Sequence, residues 1–253
     1  MKIICIFNQK GGVGKTTTAV NLAASLGKAK KKILVCDMDP QGNTTSGLGV
    51  DKQSLEGSIY DLMIGQKTIE EVKQETSAEK VEILPSNADL SGLEVELLSV
   101  DDKHKILRDH LRKEELDYDF IIIDCPPSLG ILSINSLVAA DSVIIPIQCE
   151  YYALEGVSQL VETISLVRES LNKSLEIEGI LMCMFDGRNN LSLEVVEEVK
   201  KHFKNKVFKT MIPRNIRLAE APSHGLSILD YDKSSKGAKS YEKLAKEVIR
   251  MNK

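Results

Sequence analysis

Three glycines, a lysine and a threonine stand in one short run, Gly11-Gly12-Val13-Gly14-Lys15-Thr16, continued by Thr17. A glycine-rich backbone can aim several N–H groups at one point, and such a concavity holds anions. A lysine placed directly after it reaches the β- and γ-phosphates of a nucleoside triphosphate, and the next hydroxyl belongs on Mg²⁺. Three carboxylates supply the rest of a phosphoryl-transfer site: Asp37 and Asp39, two positions apart, and Asp124 at the end of an apolar run. Transfer to water needs one group to orient the attacking water and another to hold the cation. Asp124 has the setting of the cation-holding group. Of the other two, one suits the water and the other suits capping of the turn at Pro40-Gln41-Gly42, where Asp37 fits better.

The elements around these residues must place them together. Ile3 to Phe7 is a short apolar run with the character of a buried parallel strand. From Lys15 the pattern turns helical, with Ala19, Leu22, Ala23 and Leu26 on one face. Strand, glycine loop and helix follow in the order that a phosphate-binding loop requires, and the new helix adds its positive end to the same spot. Ile33 to Cys36 and Phe120 to Ile123 read as buried strands that put Asp37, Asp39 and Asp124 at carboxyl ends, where open α/β sheets bind ligands. Val81 to Leu84, Val143 to Ile147, Ile177 to Phe185 and Val207 to Ile212 read as further strands, with Pro146 marking an end or a distortion. Helices are expected over Leu90 to Leu98, Lys103 to Glu115, Leu154 to Leu171, Leu193 to Phe203 and Ser240 to Met251, and residues 44 to 80 read as polar surface elaboration. The expected fold is α/β, a doubly wound, mostly parallel sheet flanked by helices, formed by residues 1–253 as a single domain.

The loop departs from the standard spacing G-x-x-x-x-G-K-[ST], because Gln9-Lys10 stands where the first glycine belongs. Lys10 is too near the loop's start to serve its own phosphates as Lys15 does. Projecting outward, it is available to a nucleotide held by a second subunit.

A chain of 253 residues with 42% hydrophobic content can bury one large core. No apolar run reaches membrane-spanning length, and a strand beginning at the third residue leaves no room for a signal peptide. Cys5, Cys36, Cys125, Cys149 and Cys183 lie in or beside apolar runs without a C-x-x-C pair, as reduced thiols of a cytoplasmic protein do. The net charge of −4 is unevenly spread: residues 186–253 carry 15 Lys and Arg against 9 Asp and Glu, and the preceding 185 residues carry 18 against 28. An acidic body with a basic C-terminal quarter suits local contact with a polyanion. Arg217, Lys233 and Lys236 belong to that quarter, as does the basic final helix. With few aromatics and no Trp, phosphate contact is expected there rather than base stacking.

Lys-Gly-Gly-Val-Gly-Lys-Thr-Thr at 10–17 resembles the deviant Walker A box of the ParA/MinD superfamily. Asp37 to Asn43, Ile123 to Ser128, Gln148 to Gly156 and Ile212 to Asn215 resemble, in order, its ParA/Soj chromosome-partitioning branch. The resemblance implies an ATPase using ATP and Mg²⁺, with Asp39 positioning the water, Thr16 and Asp124 on the metal, and Pro213 and Asn215 beside the adenine. It implies Lys10 reaching across a homodimer formed in the ATP state, with Glu150 to Gly156 near the joining face. Arg188, by itself an ordinary solvated loop arginine, corresponds to the arginine with which the family holds DNA. The implied partners are nonspecific double-stranded DNA and a ParB-type centromere-binding protein that stimulates hydrolysis, with nucleoid association in the ATP state and no membrane. Two other readings remain beside it. A MinD-like ATPase would lay the basic amphipathic final helix on a membrane, and a nitrogenase-iron-protein-like reductase would need paired cysteines at a subunit seam. A small-molecule ligase would need a substrate pocket that the sequence does not reveal.

Overall fold

The computed structural model describes residues 1–113, 115–150 and 153–252. Among these, seven strands form one sheet: β1 (Lys2–Ile6), β2 (Ile33–Asp37), β3 (Gln74–Glu75), β4 (Val81–Leu84), β5 (Phe120–Asp124), β6 (Ser142–Gln148) and β7 (Glu176–Cys183). Their order is β3-β4-β2-β5-β1-β6-β7, parallel except for the two-residue edge strand β3. The doubly wound α/β architecture expected from the sequence is therefore the one observed.

Alternation along each strand feeds two cores, because successive side chains leave a strand on opposite faces. Ile3 and Cys5 point to one face, which is covered by the helices Ile106–Lys113, Ile131–Ala139 and Ala153–Ser170. Ile4 and Ile6 point to the other, under the helices Lys15–Lys28 and Lys236–Met251. The stripe of the C-terminal helix, Tyr241, Leu244, Ala245 and Val248, is buried against that second face. No described helix is long and apolar enough to cross a membrane.

Several expected elements differ. Val207 to Ile212 meets β7 at a single bridge, Ile180 with Val207, and through the Ile212 N–H on the Met182 carbonyl at 2.9 Å, with a second bridge just beyond both, Phe185 with Pro213, and it forms no strand. Its midpoint is diverted: the N–H groups of Lys209 and Thr210 donate to the Glu247 carboxylate at 2.8 and 3.1 Å instead of to β7. Leu90 to Leu98 is a broken run, 3₁₀ over Ala88–Gly92, one α-turn over Leu93–Glu96, and 3₁₀ again over Leu97–Ser99. The C-terminal helix starts at Lys236, four residues early, because Ser235 caps it by accepting from the Ala238 N–H. Pro146 sits inside β6 beyond its last pair with β1, Ile6 with Ile144, so its missing N–H falls where β1 offers no partner.

Candidate phosphate-binding and catalytic site

The register of the sheet assembles the site before any side chain is considered. Asp124 pairs with both Ile6 and Asp37, so the ends of β1, β5 and β2 lie level in one row. Neighbouring strands stand ~4.8 Å apart. The loop leaving β1 thus rises directly beside the two carboxylates, at the point where strand order reverses. Gly12 and Gly14 take φ of +73° and +97°, conformations strained for any side chain, and these two left-handed turns fold the loop back onto the helix Lys15–Lys28.

Asp37 and Asp124 are fully buried, and Asp39 and Lys15 nearly so. One oxygen of Asp124, Oδ2, accepts hydroxyl hydrogen bonds from Thr16 at 2.8 Å and Thr44 at 2.7 Å. Its other oxygen, Oδ1, is buried without a hydrogen-bond partner. Burial first, then the nearby charge of Asp37, pushes the Asp124 carboxyl up to about 7, against the opposing pull of the two hydroxyls. Asp37 is pushed up to about 6 by burial, opposed by the hydroxyl and N–H of Thr45, both on its Oδ2. Burial lowers the pKa of the Lys15 ammonium, while Asp124 and Asp39 act to raise it. A buried acidic cluster with an orphaned oxygen is the surrounding that a hard cation completes. Among the described residues no group of three His, Cys, Asp or Glu can hold a metal unaided, so a Mg²⁺ here would share its coordination with phosphate oxygens and water. Thr16 and Asp124 fit that ion.

The two lysines of the loop point in different directions. Lys15 turns inward and donates to the Lys10 carbonyl at 3.0 Å, spanning the loop from its end to its head. The Lys10 side chain points outward, 60% exposed, with its ammonium 3.2 Å from Glu150. A Cβ at Gly11 would meet nothing within 4 Å, so the outer surface of the loop is open. Gly11, Gly12, Val13 and Gly14 form this loop and Thr16 and Thr17 the first turn of its helix, with Val13 buried beneath it.

Asp39 caps the turn: its Oδ1 accepts the Gln41 N–H at 3.0 Å. Capping was expected of Asp37, and the structure divides that work: Asp37 Oδ1 accepts the Asp39 N–H at 3.2 Å, while its Oδ2 holds Thr45. Pro213 and Asn215 line a cavity of about 430 Å³ with Gly14, Thr17, Cys183 and Tyr241, beside the start of the loop helix. Asn215 also caps the helix Ile216–Glu220 by accepting from the Arg217 N–H. Arg188, Arg217, Lys233 and Lys236 are all exposed. The Phe185–Pro213 bridge brings the loop of Arg188 near that of Arg217, and Arg217 lies 3.8 Å from Asp232, beside Lys233. Of the Glu150 to Gly156 stretch, Tyr151 and Tyr152 lie outside the described residues. The five cysteines are all buried and free.

Sequence reasoning missed four contributors. Asn8 accepts from the Lys10 N–H and donates to the Pro146 carbonyl, tying the loop's entry to β6. Gln148 donates to the Gly12 carbonyl at 2.7 Å. Thr44 and Thr45 fell in a stretch read as surface elaboration, yet both are fully buried. Gly42, at φ +60°, turns the chain so that the short helix Asn43–Gly47 brings their hydroxyls back onto Asp124 and Asp37. Paired threonines just after an Asp-Pro-Gln-Gly turn were the available signal.

A family model described as an AAA domain matches residues 1–177. The chain is 53% identical to the chromosome partitioning protein ParA of Myxococcus xanthus, covering 98% of this chain and 88% of that protein. It is also 53% identical to the sporulation initiation inhibitor protein Soj of Bacillus subtilis, covering 98% of each. Among solved structures, one titled cobyrinic acid a,c-diamide synthase from Mycobacterium smegmatis, with bound ADP and magnesium, superposes with a TM-score of 0.86 at 35% identity, covering 99% and 94% of the two chains. A plasmid partition protein from Borrelia burgdorferi superposes at 0.77 with 27% identity and 98% coverage of each. With the phosphate loop, the acidic row beneath it and these full-length relatives together, the chain belongs to the ParA/Soj family of chromosome-partitioning ATPases.

Proposed function

We propose that residues 1–253 act as one ATP-driven partitioning switch that binds nonspecific DNA as an ATP-state homodimer and releases it after hydrolysis. The observation that carries this reading is the opposed setting of two lysines in one loop, Lys15 buried inward and Lys10 exposed outward. An inward lysine serves the loop's own nucleotide, and the outward one, held by Glu150 in the single chain, is placed to meet a nucleotide brought by another molecule. The backbone N–H groups from Gly11 to Thr17 would cradle the phosphates, with Lys15 on the β- and γ-phosphates and the adenine over Pro213 and Asn215. Bound Mg²⁺, held by Thr16 and Asp124, would neutralise developing phosphate charge. Asp39 would orient the attacking water, its backbone anchored by the Ser86 hydroxyl on its carbonyl. Face-to-face closure would put each Lys10 on the other chain's phosphates and set two basic surfaces side by side, Arg188, Arg217, Lys233 and Lys236 of each. Turnover is slow until a ParB-type partner supplies what one site lacks, and the protein works in the cytoplasm, on the nucleoid while ATP is bound.

DNA binding measured with ATP, ADP and no nucleotide across a salt series, with oligomeric state followed in parallel, tests this reading. ATP-only binding that falls steeply with salt and appears with the dimer is expected. A dimer indifferent to DNA overturns it; vesicle binding would then favour a membrane-cycling role, although the final helix uses its apolar stripe in the core.

A further inference from the structure

The two arginines assigned above to DNA are not free cations. Arg188 has a side chain that is 91% exposed, yet its guanidinium is held in a two-point fork by Asp186, Nε to Oδ1 at 3.0 Å and one terminal nitrogen to Oδ2 at 2.9 Å. The Arg188 N–H also donates to Asp186 Oδ1 at 3.1 Å, so the carboxylate is fixed from the backbone as well. Arg188 in turn holds the Asp186 carboxyl down at about 2, which keeps the pair ionised at any cellular pH. Arg217 is treated alike. It donates to Glu220 at 2.8 Å and has Asp232 at 3.8 Å on its Nε side. Glu220 accepts from the Tyr231 hydroxyl at 3.3 Å, and Asp232 from the Ser234 N–H and hydroxyl at 3.1 and 2.7 Å. Each carboxylate is therefore placed by a second contact; Asp186 occupies the planar fork that a phosphodiester would take on Arg188, and on Arg217 Glu220 takes one donor with Asp232 alongside.

We infer that Asp186 and the pair Glu220 and Asp232 are built-in phosphate competitors, which keep Arg188 and Arg217 self-neutralised until DNA phosphates replace the carboxylates. The inference rests on the DNA-binding reading above. One chain then presents these two arginines already countered, since one carboxylate faces Arg188 and two face Arg217. Exchanging a carboxylate for a phosphate gains little at a single arginine, because an exposed ion pair and its replacement are similar in strength. The gain accumulates only when several arginines engage one duplex, as two joined chains allow. The competitors thus make affinity depend on assembly, suppressing DNA binding by the lone chain.

The test is Asp186→Asn in the full chain, which retains an acceptor for the Arg188 N–H while removing the charge. Glu194→Gln, an exposed glutamate on the neighbouring helix Asn190–Phe203, serves as a control of equal charge change. Expected for Asp186→Asn are DNA affinity raised roughly threefold to thirtyfold in an ATP dimer carrying the change twice, measurable binding in ADP, and unchanged basal ATP turnover. Glu194→Gln should give clearly less. If the wild-type ATP form binds DNA and Asp186→Asn does not bind it more tightly, or if the control gains as much, the competitor role is wrong and the partition reading stands. A wild-type ATP form that ignores DNA overturns both.

Discussion

At the scale of single residues, the site is governed by the cost of burying charge. Asp124 carries it most plainly, with a fully buried carboxylate, one oxygen doubly hydrogen-bonded and the other bare. Its pKa is raised from the ordinary carboxylate value to about 7, so the folded chain holds a proton that the unfolded chain has already lost. That difference favours folding below pH ~4 and is lost progressively as pH rises toward 7. Asp124→Asn removes the titration. In the metal-free protein its melting temperature relative to wild type should climb between pH 5 and 8, while Mg²⁺-dependent tightening of ATP binding disappears. A pH-independent difference between the two proteins would show that Asp124 is not the buried acid. Lys15→Ala should weaken ATP binding by roughly a hundredfold, the scale of a charge-assisted contact, as read by calorimetry. Asp39→Asn keeps an oxygen for the Gln41 N–H and removes the charge. It should fold normally, bind ATP and lose turnover by ~100-fold or more; wild-type hydrolysis would take Asp39 out of the mechanism.

Elements decide what the loop can do, because each support of the site comes from a different strand end. β6 contributes the Pro146 carbonyl and Gln148, β2 leads into Thr44 and Thr45, and the loop helix meets the C-terminal helix through Thr18 and Tyr241, whose hydroxyls lie 3.2 Å apart. The packing of that loop helix also sets a counterintuitive test. Gly27 sits in its last turn, where alanine would gain about 1 kcal/mol of helix propensity. A Cβ there would lie 2.1 Å from the Glu79 carbonyl oxygen, a backbone atom that cannot swing away. Gly27→Ala should therefore lower the melting temperature, and a rise would mean that the segment before β4 yields easily.

For the whole molecule, the open outer face of the loop is the telling feature. A Cβ at Gly11 would meet nothing within 4 Å beyond its chain neighbours, so Gly11→Val should leave folding and ATP binding intact. If two chains close over their nucleotides, the same substitution should abolish the ATP dimer on a sizing column and with it the DNA binding. A dimer of normal stability would place the contact between chains elsewhere.

Much of this was legible without coordinates, for reasons that are local. A phosphate loop is contiguous, so Gly11 to Thr16 could be read from type and spacing, and buried parallel strands announce themselves as apolar runs such as Phe120 to Ile123. The doubly wound sheet and the placing of three carboxylates at strand ends follow from those runs. What sequence could not supply was long-range pairing. Val207 to Ile212 has the pattern of a strand, yet Glu247, nearly forty residues on, takes its backbone donors. Thr44 and Thr45 look like solvated hydroxyls until β5 brings Asp124 under Thr44 and β2 brings Asp37 under Thr45. The arginine at 188 reads as a free cation, and only the folded loop shows Asp186 closed upon it. For Val207 to Ile212 and for Thr44 the pattern along the chain sets what a residue can do, while the partner that uses it arrives through tertiary contact; for Arg188 the partner is two residues away, and what the fold supplies is the loop conformation that closes Asp186 on it.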